Sequence, residues 1–268
     1  MLIRTWNLFH GNTSPPQRHA FLAEMVWLAV ADAPDLVCLQ EIPAWALPKL
    51  GGWSGYTAIG ALAARPMLGP LPSTAEIGRV LTSIDHGVLR SAFSGQGNAI
   101  LAAPHLRVAD RHVLELNPRS CRRKQAEWLE LGLLSRLAWG KERRVCQVVR
   151  LGDGERTLVV ANLHATSYPP DERLADAEVL RAAVYADGIA LPDEPLVMCG
   201  DFNVTFARSR TLLDLRSPDW GFSQPGCSID QIIVRGLHVE SLEHWPLERR
   251  ERHGALLSDH APVDAVVA

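Results

Sequence analysis

"LVMCGDFN", residues 196–203, changes character half-way along. Leu196 to Cys199 are apolar and suit a strand buried on both faces. Gly200, Asp201 and Asn203 then bring an acid and an amide to its C-terminal end. Taken alone the stretch could be a plain turn, because Gly, Asp and Asn are all turn formers. The same change recurs elsewhere. "LVCLQE" (36–41) ends in Glu41, and "TLVVANLH" (157–164) ends in Asn162 and His164. Two later runs carry their polar residues at the start. Asp230 precedes the apolar part of "SIDQIIV" (228–234), and Asp259 and His260 precede that of "SDHAPVDAVV" (258–267). If these groups meet at one edge, the first three strands run toward it and the last two run away. Such sheets must be mixed or antiparallel, and a purely parallel doubly wound sheet is excluded.

Working outward, "LIRTW" (2–6) is a further strand, with weaker ones at "NAILAA" (98–103) and "QIIVRG" (231–236). Helical periodicity predicts helices at 18–31 (Phe21, Met25, Leu28 and Ala29 on one face) and at 171–187, where Leu174, Ala177, Leu180 and Val184 recur. A third is expected over 123–139 and a short one over 209–215. Strands alternating with helices give the class α/β. With no repeat and no low-complexity linker, residues 1–268 are expected to form one domain. Residues 50–95 are rich in Gly and Pro, with a helical turn around 76–84. The part from about 62 to 94 is expected to be a long loop excursion of the kind that carries selectivity.

The bulk properties narrow the function. The chain has 268 residues, 47% hydrophobic and 21% charged, with a net charge of −3. That is a globular composition without a global field for nucleic acid. Basic clusters occur locally at "RSCRRK" (119–124), "KERR" (141–144) and "ERRER" (248–252), each most simply a solvated face. Five widely spaced cysteines without C-x-x-C indicate neither a disulfide framework nor a zinc–cysteine site. The start "MLIRTWNLFHGN" does not resemble a signal peptide, and no apolar run approaches the roughly 18–20 residues of a membrane span. A cytoplasmic location is therefore expected, and no protein partner is indicated. Carboxylates and amides at strand ends, without Cys, suit a hard cation such as Mg²⁺ or Mn²⁺. G-x-S-x-G, H-E-x-x-H and a P-loop are all absent from the sequence.

In order along the chain, these residues resemble the endonuclease/exonuclease/phosphatase superfamily. "WNLFHG" (6–11) is similar to its N-x-x-x-G, "LQE" (39–41) to its Q-E and "NLH" (162–164) to its N-x-H. "GDFN" (200–203), "SID" (228–230) and "SDHAP" (258–262) complete the set, and "GNAIL" (97–101) looks like its central strand. The resemblance implies a four-layer α/β sandwich, two mixed sheets face to face with helices outside. It implies a hydrolase of phosphate esters. Nucleases and phosphatases share these motifs, so nucleic acid (DNA or RNA) and small-molecule or lipid head-group esters are both open. A non-catalytic binding protein on the same fold is the other class.

The resemblance also implies roles. Glu41 and Asp259 hold the Mg²⁺ (or Mn²⁺), with Asn7 close by. His260 takes a proton from water, and Asp230 orients its imidazole. Asp201 and Asn203 position the nucleophile and a phosphate oxygen, and Asp201 is a candidate ligand for a second metal. His164 donates to a non-bridging oxygen, and Arg144 stands where relatives often carry a phosphate-facing arginine. Asp259 and His260 are expected to point opposite ways if their backbone is extended.

Overall fold

The structure is a computed structural model that describes residues 1–17, 20–68, 71–84 and 93–268. Two compact units emerge, residues 1–106 with 241–266 and residues 107–240 with 267–268.

The first unit is built on a six-stranded sheet in the order Val239–His244, Val263–Val267, Leu2–Asn7, Leu36–Pro43, Gln96–Ala102, Thr57–Ala64. Leu2–Asn7 pairs parallel with Leu36–Pro43 and antiparallel with Val263–Val267. Leu36–Pro43 and Thr57–Ala64 both run antiparallel to Gln96–Ala102. Helix Leu22–Val30 buries Leu22, Met25, Val26 and Ala29 in a core with Trp6, Val37, Leu39 and Leu101. Of the four residues expected on one helical face, Met25 and Ala29 are buried, while Phe21 and Leu28 are partly covered. Arg4 is fully buried in mid-strand. Its guanidinium is matched by Asp264 at 2.6 Å, Asp32 at 2.8 Å and the carbonyl of Ala29 at 2.6 Å. A buried cation is tolerable only with partners of this kind.

The second unit has a five-stranded sheet in the order Asp230–Arg235, Leu196–Asp201, Thr157–His164, Val145–Gly152, Arg107–Glu115. Only Thr157–His164 and Leu196–Asp201 run parallel; the other pairs are antiparallel. Each unit thus has the mixed sheet that the polar strand ends required.

Three expectations need correction. The single helix over 123–139 is two, Arg119–Trp128 and Leu133–Gly140. The chain breaks at Glu130, which has φ +52°, and Gly132 is extended before the second helix. The helix expected over 171–187 is Arg173–Ile189, but Leu180 and Val184 are exposed. Its buried face is smaller and alanine-rich: Leu174, Ala175, Val179, Ala182, Ala183, Ala186, and Glu178. Small residues let the helix lie close on the sheet, and the larger ones face outward. Finally, Thr57–Ala64 is a strand of the first sheet, so the tract from residue 50 enters the scaffold. Of 62–94, the described residues comprise the end of that strand, a short Met67–Leu68/Leu71–Pro72 ladder and helix Ala75–Ile84. Residues 69–70 and 85–92 of that stretch lie outside the described part. Among the described residues, no helix is long and apolar enough to cross a membrane.

Candidate active site

In the second unit, three motif residues fall in one row across three strands. His164 is the register partner of Asp201, and Asp201 is that of Asp230. Pairing places all three on the same edge because two strands end there and the antiparallel third begins there. Asp201 and Asp230 are 2% and 6% exposed. Their carboxylates approach within 4.8 Å, and His164 Nε2 lies 3.5 Å from Asp201 Oδ2. Gly200 makes the row possible. Its φ is +134°, and a Cβ there would meet the carbonyl oxygen of Leu163 at 1.9 Å, so only glycine fits between the two parallel strands.

Just beyond, Asn203 has φ +50°. Its amide N–H donates to Asp201 Oδ1 at 3.1 Å, and its side-chain Nδ2 donates to the carbonyl of Ala165 at 3.0 Å. Asn tolerates the left-handed conformation because its short polar side chain bonds locally. Arg144 is buried, with Nη2 2.9 Å from Glu142 Oε2. Its Nη1 lies 3.0 Å from both ring nitrogens of His164. The guanidinium therefore lies against the imidazole rather than out in solvent.

Beneath this row sits a carboxylate that the sequence reading did not single out. Glu178 is fully buried on helix Arg173–Ile189. It accepts from Trp139 Nε1 at 2.6 Å, Thr166 Oγ1 at 2.8 Å and the Thr166 amide at 2.6 Å. Burial pushes its carboxyl above the usual range, against the pull of these donors. Glu178 thereby fixes the backbone that follows His164. Its position among the alanines of a helix face was the available signal.

In the first unit, the motif residues sit on strained backbone. Phe9, His10 and Gly11 have consecutive positive φ of 49°, 58° and 86°, and Glu41 has φ 53°. Gly11 is required, because a Cβ there would meet the Leu22 Cβ at 2.6 Å. Glu41 stands at a β-bulge: Gln40 and Glu41 face Asn98 alone, between the pairs Leu39–Ala99 and Ile42–Gly97. Bulges re-aim side chains beside active sites. Here Gln40 turns inward to Thr5 and the carbonyl of Cys38, and Glu41 Oε2 comes 3.2 Å from His10 Nε2. Asn7 is buried, and its Oδ1 accepts from the amide of Phe9 at 3.0 Å.

The turn at Ser258–His260 is not extended. Ser258 has φ 62°, its hydroxyl donates to the carbonyl of Asn7 at 2.7 Å, and it accepts from the amide of His260 at 3.0 Å. Asp259 Oδ1 and His260 Nε2 lie 4.0 Å apart, so the two side chains do not diverge. Asp259 is exposed and the His260 ring is mostly covered. Arg250, from the cluster expected to be a solvated face, is buried. It donates from Nη1 to the carbonyls of Ser258 at 2.9 Å and of Leu257 and His260 at 3.3 Å. The indole of Trp6 donates to the carbonyl of His260 at 3.1 Å. Burial lowers the guanidinium of Arg250 below its ordinary range.

The donor sets suit a hard divalent cation. Asp201 and Asp230 are two buried carboxylates at close range, an arrangement that like-charge repulsion opposes unless a cation is near. Glu41 is held by its bulge with its carboxylate off the pairing line.

A sequence model of the Endonuclease/Exonuclease/phosphatase family matches residues 5–260. The chain belongs to the endonuclease/exonuclease/phosphatase family. Solved structures show the same fold. An endonuclease/exonuclease/phosphatase from Bacteroides vulgatus is 17% identical with a TM-score of 0.67, covering 100% of this chain and 98% of that one. The catalytic domain of human Nocturnin, solved with a bound sulfate anion, is 16% identical with a TM-score of 0.68, covering 100% and 93%. A functionally unknown conserved protein from Enterococcus faecalis V583 is 17% identical with a TM-score of 0.67, covering 100% and 99%. No curated protein matches the sequence. The family's members include enzymes of phosphate esters, and all six motifs quoted above lie within or at the edges of the matched region.

Proposed function

We propose that this chain is a divalent-cation-dependent phosphoesterase, with a nucleic-acid phosphodiester as the first substrate class to test. The observation that carries the reading is the row His164–Asp201–Asp230 at one sheet edge, with Asn203 folded over its end.

Candidate residues lie in both units. In the first, Glu41, Asn7 and Asp259 would hold Mg²⁺ or Mn²⁺. Bound there, the cation supplies Lewis-acid stabilisation of charge on the phosphoryl group and the leaving oxygen. His260 accepts a proton from water. A neutral imidazole is a competent base near pH 7, and the bonds to its backbone amide and carbonyl hold it in place. The resemblance assigns Asp230 to supporting that base. In the second unit, Asn203 and His164 bind phosphate oxygens where charge gathers. Asp201 orients the water and is the candidate for a second cation. Arg144, lying against His164, would add fixed positive charge for the phosphate.

Support for nucleic acid comes from helix Arg119–Trp128, where Arg119, Arg123 and Lys124 are exposed. Phosphate contacts of that type position a polynucleotide. The Nocturnin domain's bound sulfate is a tetrahedral anion on the same fold. The stretch 62–94 is proposed to choose the substrate. A panel of nicked, abasic and single-stranded DNA, RNA, inositol phosphates and phospholipid head groups, assayed with Mg²⁺ and Mn²⁺, tests the reading. Turnover of small esters alone would move the assignment to a small-molecule or lipid head-group phosphatase. Binding without turnover of any ester would mark a non-catalytic protein.

A further inference from the structure

We propose that His10 and Glu41 form an imidazole–carboxylate ligand pair that makes this site select a transition-series divalent cation over Mg²⁺. The inference rests on the metal-dependent reading above and adds a ligand that this reading does not contain.

The spacing is the first argument. His10 Nε2 lies 3.2 Å from Glu41 Oε2. A charge-assisted hydrogen bond between such groups is ordinarily shorter, about 2.7–2.9 Å. Two donors each about 2.1 Å from one ion, at right angles, are about 3 Å apart. At 3.2 Å the two atoms form an ion pair whose separation also matches neighbouring positions in one coordination sphere, so a single ion can replace the contact between them.

Shelter is the second. The His10 side chain is 5% exposed and that of Glu41 is 20% exposed. An exposed pair of this type would contribute little.

Backbone conformation is the third. Phe9, His10 and Glu41 all take left-handed backbone, at a cost of roughly 1–2 kcal/mol each. Residues from a left-handed turn and from a bulge are thereby aimed at each other. Such strain persists where surrounding structure imposes it and is concentrated at ligand sites.

Ligand chemistry then sets the choice of ion. Carboxylate and water suit Mg²⁺, Ca²⁺ and Mn²⁺, whereas imidazole favours the later transition ions, Zn²⁺ among them, with affinity rising from Mn²⁺ to a maximum at Cu²⁺. Mg²⁺ demands oxygen donors at short octahedral distances and gains little from a ring nitrogen.

The test uses the full chain stripped with EDTA. Mn²⁺, Zn²⁺ and Mg²⁺ are titrated calorimetrically into the wild type, His10→Asn and Glu41→Gln, and the pulsed EPR spectrum of bound Mn²⁺ is recorded. Asn is chosen because it accepts a positive φ. His10→Asn is expected to weaken Mn²⁺ and Zn²⁺ by roughly 10- to 100-fold, with Mg²⁺ changed much less. Glu41→Gln is expected to weaken all three. Wild-type Mn²⁺ is expected to show ¹⁴N coupling that His10→Asn removes. No nitrogen coupling in the wild type overturns the assignment without any variant. Unchanged Mn²⁺ affinity in a folded His10→Asn protein also overturns it. Either result leaves the metal-dependent reading standing if Glu41→Gln still weakens Mg²⁺. Failure of the wild type to bind any of the three ions overturns both.

Discussion

Asp201 faces His164 across adjacent parallel strands, with its Oδ2 3.5 Å from the imidazole Nε2, and both are almost wholly buried. A carboxylate and an imidazole brought together by strand register keep their spacing only while the register holds. Asp201→Asn retains size and the acceptor for the Asn203 amide but removes the charge. Its kcat is expected to fall by at least about 10²-fold, the lower end of what a positioned acid–base group contributes. The thermal melt should move little. Activity near wild type would remove Asp201 from the chemistry.

Gly200 is the hinge of that register. Gly200→Ala would place a methyl 1.9 Å from the Leu163 carbonyl at φ +134°. Strain and overpacking together predict destabilisation of about 3 kcal/mol or more. Chemical denaturation measures it, and a change within about 0.5 kcal/mol, the size of an ordinary surface substitution, would contradict the close approach.

Glu178 predicts an unusual pH dependence. Its folded carboxyl is raised from 4.5 by burial, so folding favours the protonated form. Its contribution is complete below the unfolded value and is lost as pH rises through the raised folded value. Wild type minus Glu178→Gln should therefore show relative stability falling from about pH 4.5 upward, the reverse of an ordinary salt-bridged carboxylate. The difference in melting temperature across pH 4–8 checks this, and a difference that rises with pH would refute it.

The strands that carry the candidate residues were legible from their polar ends. Apolar runs closing on Glu41, His164 and Asp201, or opening on Asp230, gave the strands and the direction of each within its own sheet. What stayed hidden depends on tertiary partners. Arg250 lies in a charged cluster that reads as solvated, yet it is buried because the carbonyls of the Ser258–His260 turn need a donor. Strand Arg107–Glu115 is mostly exposed and charged, so it has no apolar run to reveal it. The helix break at Glu130 rests on one residue's left-handed backbone, which no periodicity announces. His10 was passed over because its meeting with Glu41 depends on a bulge.

Arg250→Ala should loosen the turn that holds His260. Three carbonyls lose the guanidinium, and that of His260 keeps the Trp6 indole. Activity is expected to fall roughly tenfold or more, because misplaced catalytic groups cost up to about 10²-fold. Arg250→Lys should recover only part of it, since a point charge cannot reproduce the planar fork. Equal activity in all three proteins would show that the turn holds without the guanidinium.

The proposed role of 62–94 is tested by replacing residues 67–92 with a short Gly-Ser connection, which spares strand Thr57–Ala64. Cleavage of a small activated diester should survive, and kcat/KM on the natural substrate should fall much further. An equal fall on both would deny the segment a role in selection.

The central claim is that His260 works with a divalent cation to hydrolyse a phosphate ester. The most direct measurement is the rate of bis-p-nitrophenyl phosphate hydrolysis by the wild type and His260→Ala, each with Mn²⁺, with Mg²⁺ and with excess EDTA. Wild-type turnover should vanish in EDTA and return with added cation, and His260→Ala should be slower by roughly 10²- to 10⁴-fold. Full wild-type activity in EDTA, or an undiminished rate in a folded His260→Ala protein, would contradict the account.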